Sequence, residues 1–295
     1  MDSRRCAAAA AALLAMVAVG GCVDAGSVPS ADHSASVRLT SSEVGPQWIL
    51  SAGAVPKLVQ AGLPRAQLEQ EFDRPTTLLL ARRVWRNKYL PQSSTAFSFP
   101  SADALVAALD TGQVPDSTRW LLLDLERWTR TPQAEQQDPI GALRRAVAAA
   151  HAHGKQVLFT PGVDLMGTLR PGLSGVARYG AFIESVVSPG AAVADAFEVQ
   201  SQSTEATGAA TTFVGAAVAA ARSAHPGAPV LAGLSTNPNG RRVQPGDLVA
   251  VYRAARSAGA TGFWLNVPNG GTACPNCGAA QPQVAVAFLQ AITNG

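Results

Sequence analysis

Eight short apolar runs that alternate with longer helical stretches constrain this chain more than any other feature of its sequence. Alternation of this kind is typical of a parallel sheet whose strands are joined by crossover helices. Residues 46–295 are about 250 residues long, a usual size for a barrel of eight such units. We therefore predict an α/β fold, a single-domain (β/α)8 TIM-type barrel, with an open doubly wound sheet as the alternative. The predicted strands are Trp48–Ala52, Thr76–Ala81, Thr95–Phe99, Trp120–Leu125, Gln156–Thr160, Ala196–Ser201, Pro229–Leu234 and Gly262–Val267.

Boundary residues indicate where several of the helices begin and end. Ser101, Asp138 and Asp247 are of types that cap helix N-termini, and Pro282 suits a first helical turn. Gly259 stands where the next-to-last helix should end. We predict one helix at each of these four starting points.

The N-terminal residues have the parts of a secretory signal. Arg4 and Arg5 precede an apolar run, Cys6–Val19, and small residues follow before Cys22. The run is shorter than the about 20 apolar residues that a membrane-spanning helix needs. We therefore expect residues 1–21 to be a signal peptide that is removed.

The residues at 19–22, Val-Gly-Gly-Cys, resemble the lipobox of bacterial lipoproteins. The resemblance implies that the thiol of Cys22 receives lipid and that Cys22 becomes the new N-terminus. Residues 22–45 then form a flexible linker, because they are rich in Ser, Ala, Val and Gly without sustained periodicity. The alternative is an ordinary secretory signal in which Cys22 is an incidental thiol.

Charge and anchoring define the expected partners. Two or more acyl chains hold a protein durably at a membrane, so the expected location is the extracytoplasmic face of the cell membrane. The net charge is only +3, and the sequence has no basic run. Nucleic acid is therefore not an expected partner.

The fourth predicted strand carries the main candidate site. Period-two alternation places Asp124 and Glu126 on one face and Leu121, Leu123 and Leu125 on the other. The leucines should pack against helices, which turns both acids into the barrel at its carboxyl end. Two neighbouring buried acids can hold one pKa near neutrality, as a general acid requires. The alternative is that both acids simply bond to nearby arginines or loops.

Other polar side chains fall at neighbouring strand ends, where a barrel of this class carries its function. On the sixth strand, Glu198 is expected to be a structural hydrogen-bonding centre, whereas Gln200 and Gln202 are candidate ligand contacts. On the eighth strand, Trp264 shares a face with Asn266, and an aromatic ring beside an amide suits a sugar; the alternative is that Trp264 fills the core. The remaining candidate substrate-binding residues are Trp128, Asp164, Asn237, Trp264 and Asn266.

The Asp-x-Glu at the end of the fourth strand, the polar sixth strand and the tryptophan on the eighth resemble family 18 glycoside hydrolases. The resemblance implies that Glu126 is the general acid and that Asp124 orients the N-acetyl group of the substrate, whose carbonyl is the nucleophile. The resemblance covers a few strand ends and not the whole chain. The further upstream aspartates of that family are replaced here by Leu122 and Arg119, and its sixth-strand tyrosine is absent.

Several other chemistries are not expected from this sequence. The segment 233–239 has no acid to serve as a nucleophile on strand seven, and no lysine falls in a predicted strand core. The four histidines lie away from the expected active face, so no metal or cofactor is predicted. Cys274 and Cys277 are predicted to form a disulfide after strand eight, with a redox-active pair as the alternative.

Three hypotheses follow from these residues. The first is a surface-anchored glycoside hydrolase in which Glu126 donates a proton to a glycan. The second is a catalytically silent barrel that binds a glycan or a partner at the cell envelope. The third is a purely structural envelope protein.

Overall fold

The computed structural model describes residues 45, 47–81, 87–202, 204–271 and 274–293. The predicted signal peptide and Cys22 lie outside the described residues, as does nearly all of the predicted linker. Among the described residues, no helix has both the length and the apolar character needed to cross a membrane.

The described strands form a closed barrel in which eight parallel strands follow each other in chain order. This confirms the predicted (β/α)8 TIM-type barrel and excludes the open sheet. All eight predicted strands are present, the third one included, and no strand end differs from the prediction by more than two residues. The strands are β1 (Trp48–Ser51), β2 (Thr77–Leu80), β3 (Ser94–Phe99), β4 (Trp120–Leu123), β5 (Gln156–Phe159), β6 (Ala196–Val199), β7 (Val230–Ser235) and β8 (Gly262–Asn266).

Among the described residues, helices follow every strand except β2, and the connections after β1, β4 and β5 each contain more than one helix. A π-helical turn, Ile183–Val187, joins two of the helices after β5. The helices are α1 (Ala54–Gln60), α2 (Arg65–Phe72), α3 (Ala102–Asp110), α4 (Gln133–Gln137), α5 (Pro139–Ala152), α6 (Met166–Leu169), α7 (Gly175–Phe182), α8 (Ser188–Ala191), α9 (Ala210–Ala224), α10 (Pro245–Ser257) and α11 (Pro282–Thr293).

Three of the four predicted helix starts are confirmed. The Ser101 hydroxyl accepts from the Ala104 amide, and Asp138 accepts from the amide three residues on. Pro282 is the first residue of α11. The prediction for Asp247 is wrong in detail: Gln244 caps α10, and Asp247 accepts from the Gln244 amide as the other half of a capping box.

The core has two layers separated by the barrel wall. The outer layer, between strands and helices, takes Leu121, Leu123 and Leu125. The inner layer fills the barrel and takes Trp120 and Leu122 of the same strand. The alternation predicted for β4 is therefore confirmed, and the next inward positions along the chain are those of Asp124 and Glu126.

Two glycine substitutions test how tightly the outer layer is packed. A Cβ on Gly190 would lie 2.9 Å from ring atoms of Phe159 and 3.0 Å from Phe197, whereas a Cβ on Gly215, inside α9, would meet nothing within 4 Å. Gly190→Ala should lower the free energy of unfolding by about 1–3 kcal/mol through overpacking. Gly215→Ala should raise it by about 0.5–1 kcal/mol, because alanine loses less entropy in a helix. Urea titration of both variants measures the difference, and a stable Gly190→Ala protein would contradict this packing.

Candidate functional site

A cavity of about 750 Å³ opens at the carboxyl ends of the strands. It gathers side chains from segments that are far apart in sequence, as expected where the βα loops of a barrel meet. Eight of the nine catalytic and substrate-binding candidates line it: Asp124, Glu126, Trp128, Asp164, Gln200, Gln202, Trp264 and Asn266.

Asp124 directly follows the last residue of β4, and Glu126 lies two residues further along the chain; both line the cavity. The side-chain amide of Gln200 donates to Oδ1 of Asp124 at 2.9 Å and to the Thr160 carbonyl oxygen at 2.9 Å. The Thr160 hydroxyl also reaches Asp124 Oδ1, at 3.3 Å. Gln200, predicted as a ligand contact, thus also ties β6 to the acid of β4.

Burial raises the pKa of both acids toward or above neutrality. The pKa of Asp124 is raised to about 7, mainly by burial, against the lowering effects of Thr160, Arg130 and Gln200. The pKa of Glu126 is raised to about 8, first by burial and then by the charges of Asp124 and Asp164. The environment therefore favours a neutral, proton-carrying Glu126 at physiological pH, which is the state a general acid needs.

Asp164 is a third carboxyl beside the pair, in the helical turn Val163–Leu165 that follows β5. Its side chain and that of Glu126 both lie against Gly162, where a Cβ would be 2.5 Å from Asp164 Oδ1 and 3.0 Å from Glu126 Cγ. Burial raises the pKa of Asp164, and the charges of Arg178 and Arg127 oppose that shift. Gly162 is required because only a residue without a side chain leaves room for both acids.

Trp128 and Arg130 form one wall of the cavity. The guanidinium carbon of Arg130 lies 3.7 Å from the centre of the Trp128 ring, a cation–π contact. The indole N–H of Trp128 donates to the Thr131 hydroxyl at 2.6 Å, which holds the ring in place. Arg130 therefore covers part of the ring of Trp128, a predicted substrate-binding residue, and it brings a positive charge toward the acid pair.

The opposite wall is centred on Gly233 of β7. A Cβ there would clash with Glu198 Oε1 and would lie 2.5 Å from the side-chain nitrogen of Gln202. Gly233 pairs with Trp264 across β7 and β8, and Ser235 follows it on the inner face. The missing side chain of Gly233 is therefore what lets β6 place its polar side chains inside the barrel.

Polar atoms of this wall have no hydrogen-bond partner within the described part of the chain. They are both carboxyl oxygens of Glu198, Gln202 Oε1, the Ser235 hydroxyl and the Trp264 indole nitrogen. Glu198 is fully buried, and burial together with the charges of Asp124 and Glu126 raises its pKa well above the ordinary value. The expectation that Glu198 is a hydrogen-bonding centre is therefore wrong for the described residues.

Asn237 is the one substrate-binding candidate that does not line the cavity. Its side-chain amide donates to the carbonyl oxygens of Cys277 at 2.9 Å, Ala279 at 3.2 Å and Pro268 at 3.4 Å. It therefore holds the loop after β8 against the loop after β7. Its neighbours Pro238 and Asn239 line the cavity in its place.

Cys274 and Cys277 form a disulfide at the rim of the cavity, as predicted. Both cysteines line the cavity. Within the described residues, no group of three or more His, Cys, Asp or Glu side chains could hold a metal ion.

Four contributors were missed by sequence reasoning: Thr160, Arg130 as a lining residue, Ser235 and Glu205. Ser235 and Thr160 directly follow apolar strand residues, so their positions at strand ends were a usable signal. Glu205 had no such signal, because it lies in the loop after β6 and reaches the Ser235 amide only in the folded chain. Burial also raises the pKa of Glu205 well above its usual range.

No protein-family model matches the sequence, and a comparison with curated proteins gives no match. Solved structures with a similar fold include the carboxyl transferase domain of Rhizobium etli pyruvate carboxylase with pyruvate, at 12% identity and a TM-score of 0.43 over 85% of this chain and 48% of that one. The same domain with oxamate and biotin gives 10% identity and a TM-score of 0.45, over 85% and 47%. This chain thus spans about half the length of those chains. They are not family 18 glycoside hydrolases, and likeness at this level carries no argument about activity.

The raised pKa values predict how stability depends on pH. Carboxyls whose pKa is raised on folding hold protons that the unfolded chain releases. Their contribution to the free energy of unfolding is therefore fully present below about pH 4.5 and is lost as the pH rises toward about 8. Each such group contributes up to about 1.4 kcal/mol per pH unit within that window. Glu198→Gln should therefore flatten the decline in the free energy of unfolding between pH 5 and 8, measured by urea titration. Stability that rises across this window in the unmodified protein would contradict the buried acid set.

Proposed function

We propose that this protein is a lipid-anchored glycoside hydrolase of the cell envelope in which Glu126 is the general acid. The observation that carries the proposal is the position of Asp124 and Glu126, side by side in the mouth of the cavity, with burial holding the pKa of Glu126 at about 8. The cavity has the size usual for small-ligand sites and combines carboxyls, amides and aromatic rings. Such a mixture suits a sugar, which has apolar faces and hydroxylated edges.

In the proposed reaction, Glu126 gives its proton to the glycosidic oxygen as the bond to the sugar breaks. Asp124 is held by Gln200 and Thr160, so its carboxylate is fixed in direction before a substrate arrives. In the mechanism implied by the family 18 resemblance, Asp124 orients the N-acetyl group whose carbonyl oxygen attacks the anomeric carbon. Water then opens the resulting intermediate, and Glu126 recovers its proton from that water.

A non-catalytic glycan-binding protein is the second candidate. The observation that favours it is the saturation of Asp124 Oδ1 by Gln200 and Thr160, an arrangement that is stable without any substrate. In that case the cavity and its aromatic walls bind a glycan, and Glu126 carries no chemistry.

Glu126→Gln separates the two candidates, because glutamine keeps the size of the side chain and cannot donate a proton in acid catalysis. For a hydrolase, this change should lower kcat by about 100- to 10,000-fold on N-acetylated oligosaccharides, measured as new reducing ends. Glu184→Gln is the matched control, since Glu184 is exposed on the π-helical turn and does not line the cavity. Unchanged turnover in Glu126→Gln would refute the role assigned to Glu126. If the unmodified protein binds the oligosaccharide without hydrolysing it, and Trp264→Ala no longer binds it, the second candidate would be established.

The proposed anchor is tested at Cys22. Cys22→Ala should move the protein from the membrane fraction to the soluble fraction, because the thiol that carries the acyl chains in the proposal is removed. Cys6→Ala is the control, since Cys6 lies within the proposed signal peptide. Mass spectrometry of the N-terminal peptide should show the lipid on Cys22 in the unmodified protein. Membrane retention of Cys22→Ala would remove the anchor from the proposal.

A further inference from the structure

The two cysteines of the disulfide at the cavity rim differ in how easily they can be reached. Cys277 is only 3% exposed, whereas Cys274 is partly exposed, and both line the cavity. Exchange between thiols and disulfides begins when a thiolate attacks one of the two sulfurs, so access decides which cysteine reacts first. The geometry therefore makes Cys274 the sulfur that an incoming thiol meets and Cys277 the sulfur that is displaced.

Contacts that do not involve sulfur hold the turn of residues 274–277. The backbone amide of Gly271 donates to the carbonyl oxygen of Cys274 at 3.3 Å, and the amide of Cys274 donates to the carbonyl oxygen of Gly271 at 3.0 Å. The Cys277 amide donates to the Cys274 carbonyl oxygen at 3.2 Å, and the Cys277 carbonyl oxygen accepts from the side chain of Asn237 at 2.9 Å. We therefore expect the turn to keep its shape when its disulfide is reduced.

The loop after β7 carries an amide and two arginines beside this turn. Gly240 packs so closely against the turn that a Cβ there would clash with a backbone carbonyl oxygen. Just before it, Asn239 has a φ of 50°, and its side-chain oxygen lies 4.0 Å from Cys274 Sγ. An amide at that position can turn its N–H group toward a thiolate. Arg241 and Arg242, both exposed, follow on the same loop, and positive charge favours the thiolate, which is the reacting form.

A purely structural role explains this disulfide less well. In the chain-entropy account, a disulfide stabilises a protein by restricting its unfolded chain, and the effect grows with the length of the loop that is closed. This disulfide joins cysteines three positions apart in sequence, so it restricts the unfolded chain very little. In the folded chain, the bonds made by Asn237 and Gly271 already hold the turn.

We propose that Cys274 and Cys277 are a redox-active pair that exchanges with low-molecular-weight thiols and disulfides entering the cavity. The thiolate of a small thiol attacks Cys274 Sγ, a mixed disulfide forms, and Cys277 leaves as a thiolate that takes up the proton lost by the small thiol. A second small thiol then attacks the small sulfur of the mixed disulfide and releases Cys274 as a thiol. Two small thiols are thereby oxidised to one small disulfide, and the pair is reduced by two electrons. In the reverse direction, the Cys274 thiolate attacks a small disulfide, and the Cys277 thiolate displaces the remaining small thiol.

A small partner suits the position of the pair. The cavity that both cysteines line has a volume of about 750 Å³, within the range of small-ligand sites. A thiol or disulfide of low molecular weight can enter such a cavity and contact Cys274. The inference goes beyond the proposed hydrolysis and does not depend on it, since Glu126 takes no part in the exchange.

The exchange kinetics of the full chain test the proposal. Cys6→Ser and Cys22→Ser leave Cys274 and Cys277 as the only cysteines. This protein is reduced with dithiothreitol, separated from it and mixed with 2-hydroxyethyl disulfide, and mass spectrometry of acid-quenched samples gives the rate. We expect the folded protein to exchange at least about tenfold faster than the same chain unfolded in urea, because the fold holds Cys277 beside the mixed disulfide on Cys274. The near-ultraviolet circular dichroism of the folded protein should be the same in both oxidation states.

Three further substitutions in that protein assign the roles. Cys277→Ser should stop at a mixed disulfide, with one 2-mercaptoethanol unit on Cys274. Asn239→Gly keeps the left-handed backbone, which glycine adopts readily, and should slow exchange by about tenfold because the thiolate loses a hydrogen bond. Asn276→Ala is the matched control, since it removes an exposed amide within the same turn, and it should leave the rate unchanged.

A folded protein that exchanges no faster than the unfolded chain would overturn the inference. So would a change in circular dichroism on reduction, or the absence of a mixed disulfide in folded Cys277→Ser, and the pair would then be a structural disulfide. If Cys277→Ser does not fold, the comparison of the folded and unfolded chains and the rate of Asn239→Gly decide the question. None of these results bears on hydrolysis through Glu126.

Discussion

The leucine face of β4 is the constraint on which the site depends. Leu121, Leu123 and Leu125 pack between the barrel and its helices, and their burial leaves Asp124 and Glu126 no direction except inward. Shifting the strand by one residue would turn three leucines into the barrel and the acids into the outer core, at a large cost in desolvation. The placement of the two acids is thus maintained by hydrophobic packing of their neighbours.

The polarity of the barrel interior changes along the barrel axis. Toward the amino ends of the strands, apolar residues such as Ile49, Leu122 and Leu158 fill the interior. At the carboxyl ends, carboxyls and amides replace them, and several of their atoms lack partners among the described residues. Since each unpaired buried atom lowers stability, the polar end is stable only because the packed end and the helices compensate for it. A polar ligand would supply the bonds that the fold leaves unmade.

Prediction from the sequence succeeded where a pattern repeated and failed where one loop had to be placed against another. Short apolar runs between helical stretches located all eight strands. Period-two alternation aimed Glu126, Gln202 and Trp264 inward, because alternation is a property of the strand itself. The assignment of Asp247 as the N-cap failed because Gln244 is the N-cap residue of α10. The Asp247 side chain instead accepts a hydrogen bond from the Gln244 amide. Asn237 was expected at the ligand, but its amide is occupied by the loop after β8, a contact that spans about 40 residues. The signal peptide and the lipid on Cys22 remain predictions.

The sequence by itself determined the barrel, the faces of its strands and the gathering of polar side chains at one end, because these follow from local periodicity and from the closure of a parallel sheet. Only the tertiary structure decided how strongly the acids are buried and which polar atoms are left unpaired. It also decided that Gly162 and Gly233 make room for carboxyls from neighbouring strands. Those features depend on distances between residues far apart in the chain, and a pKa responds to the sum of such distances rather than to any local pattern.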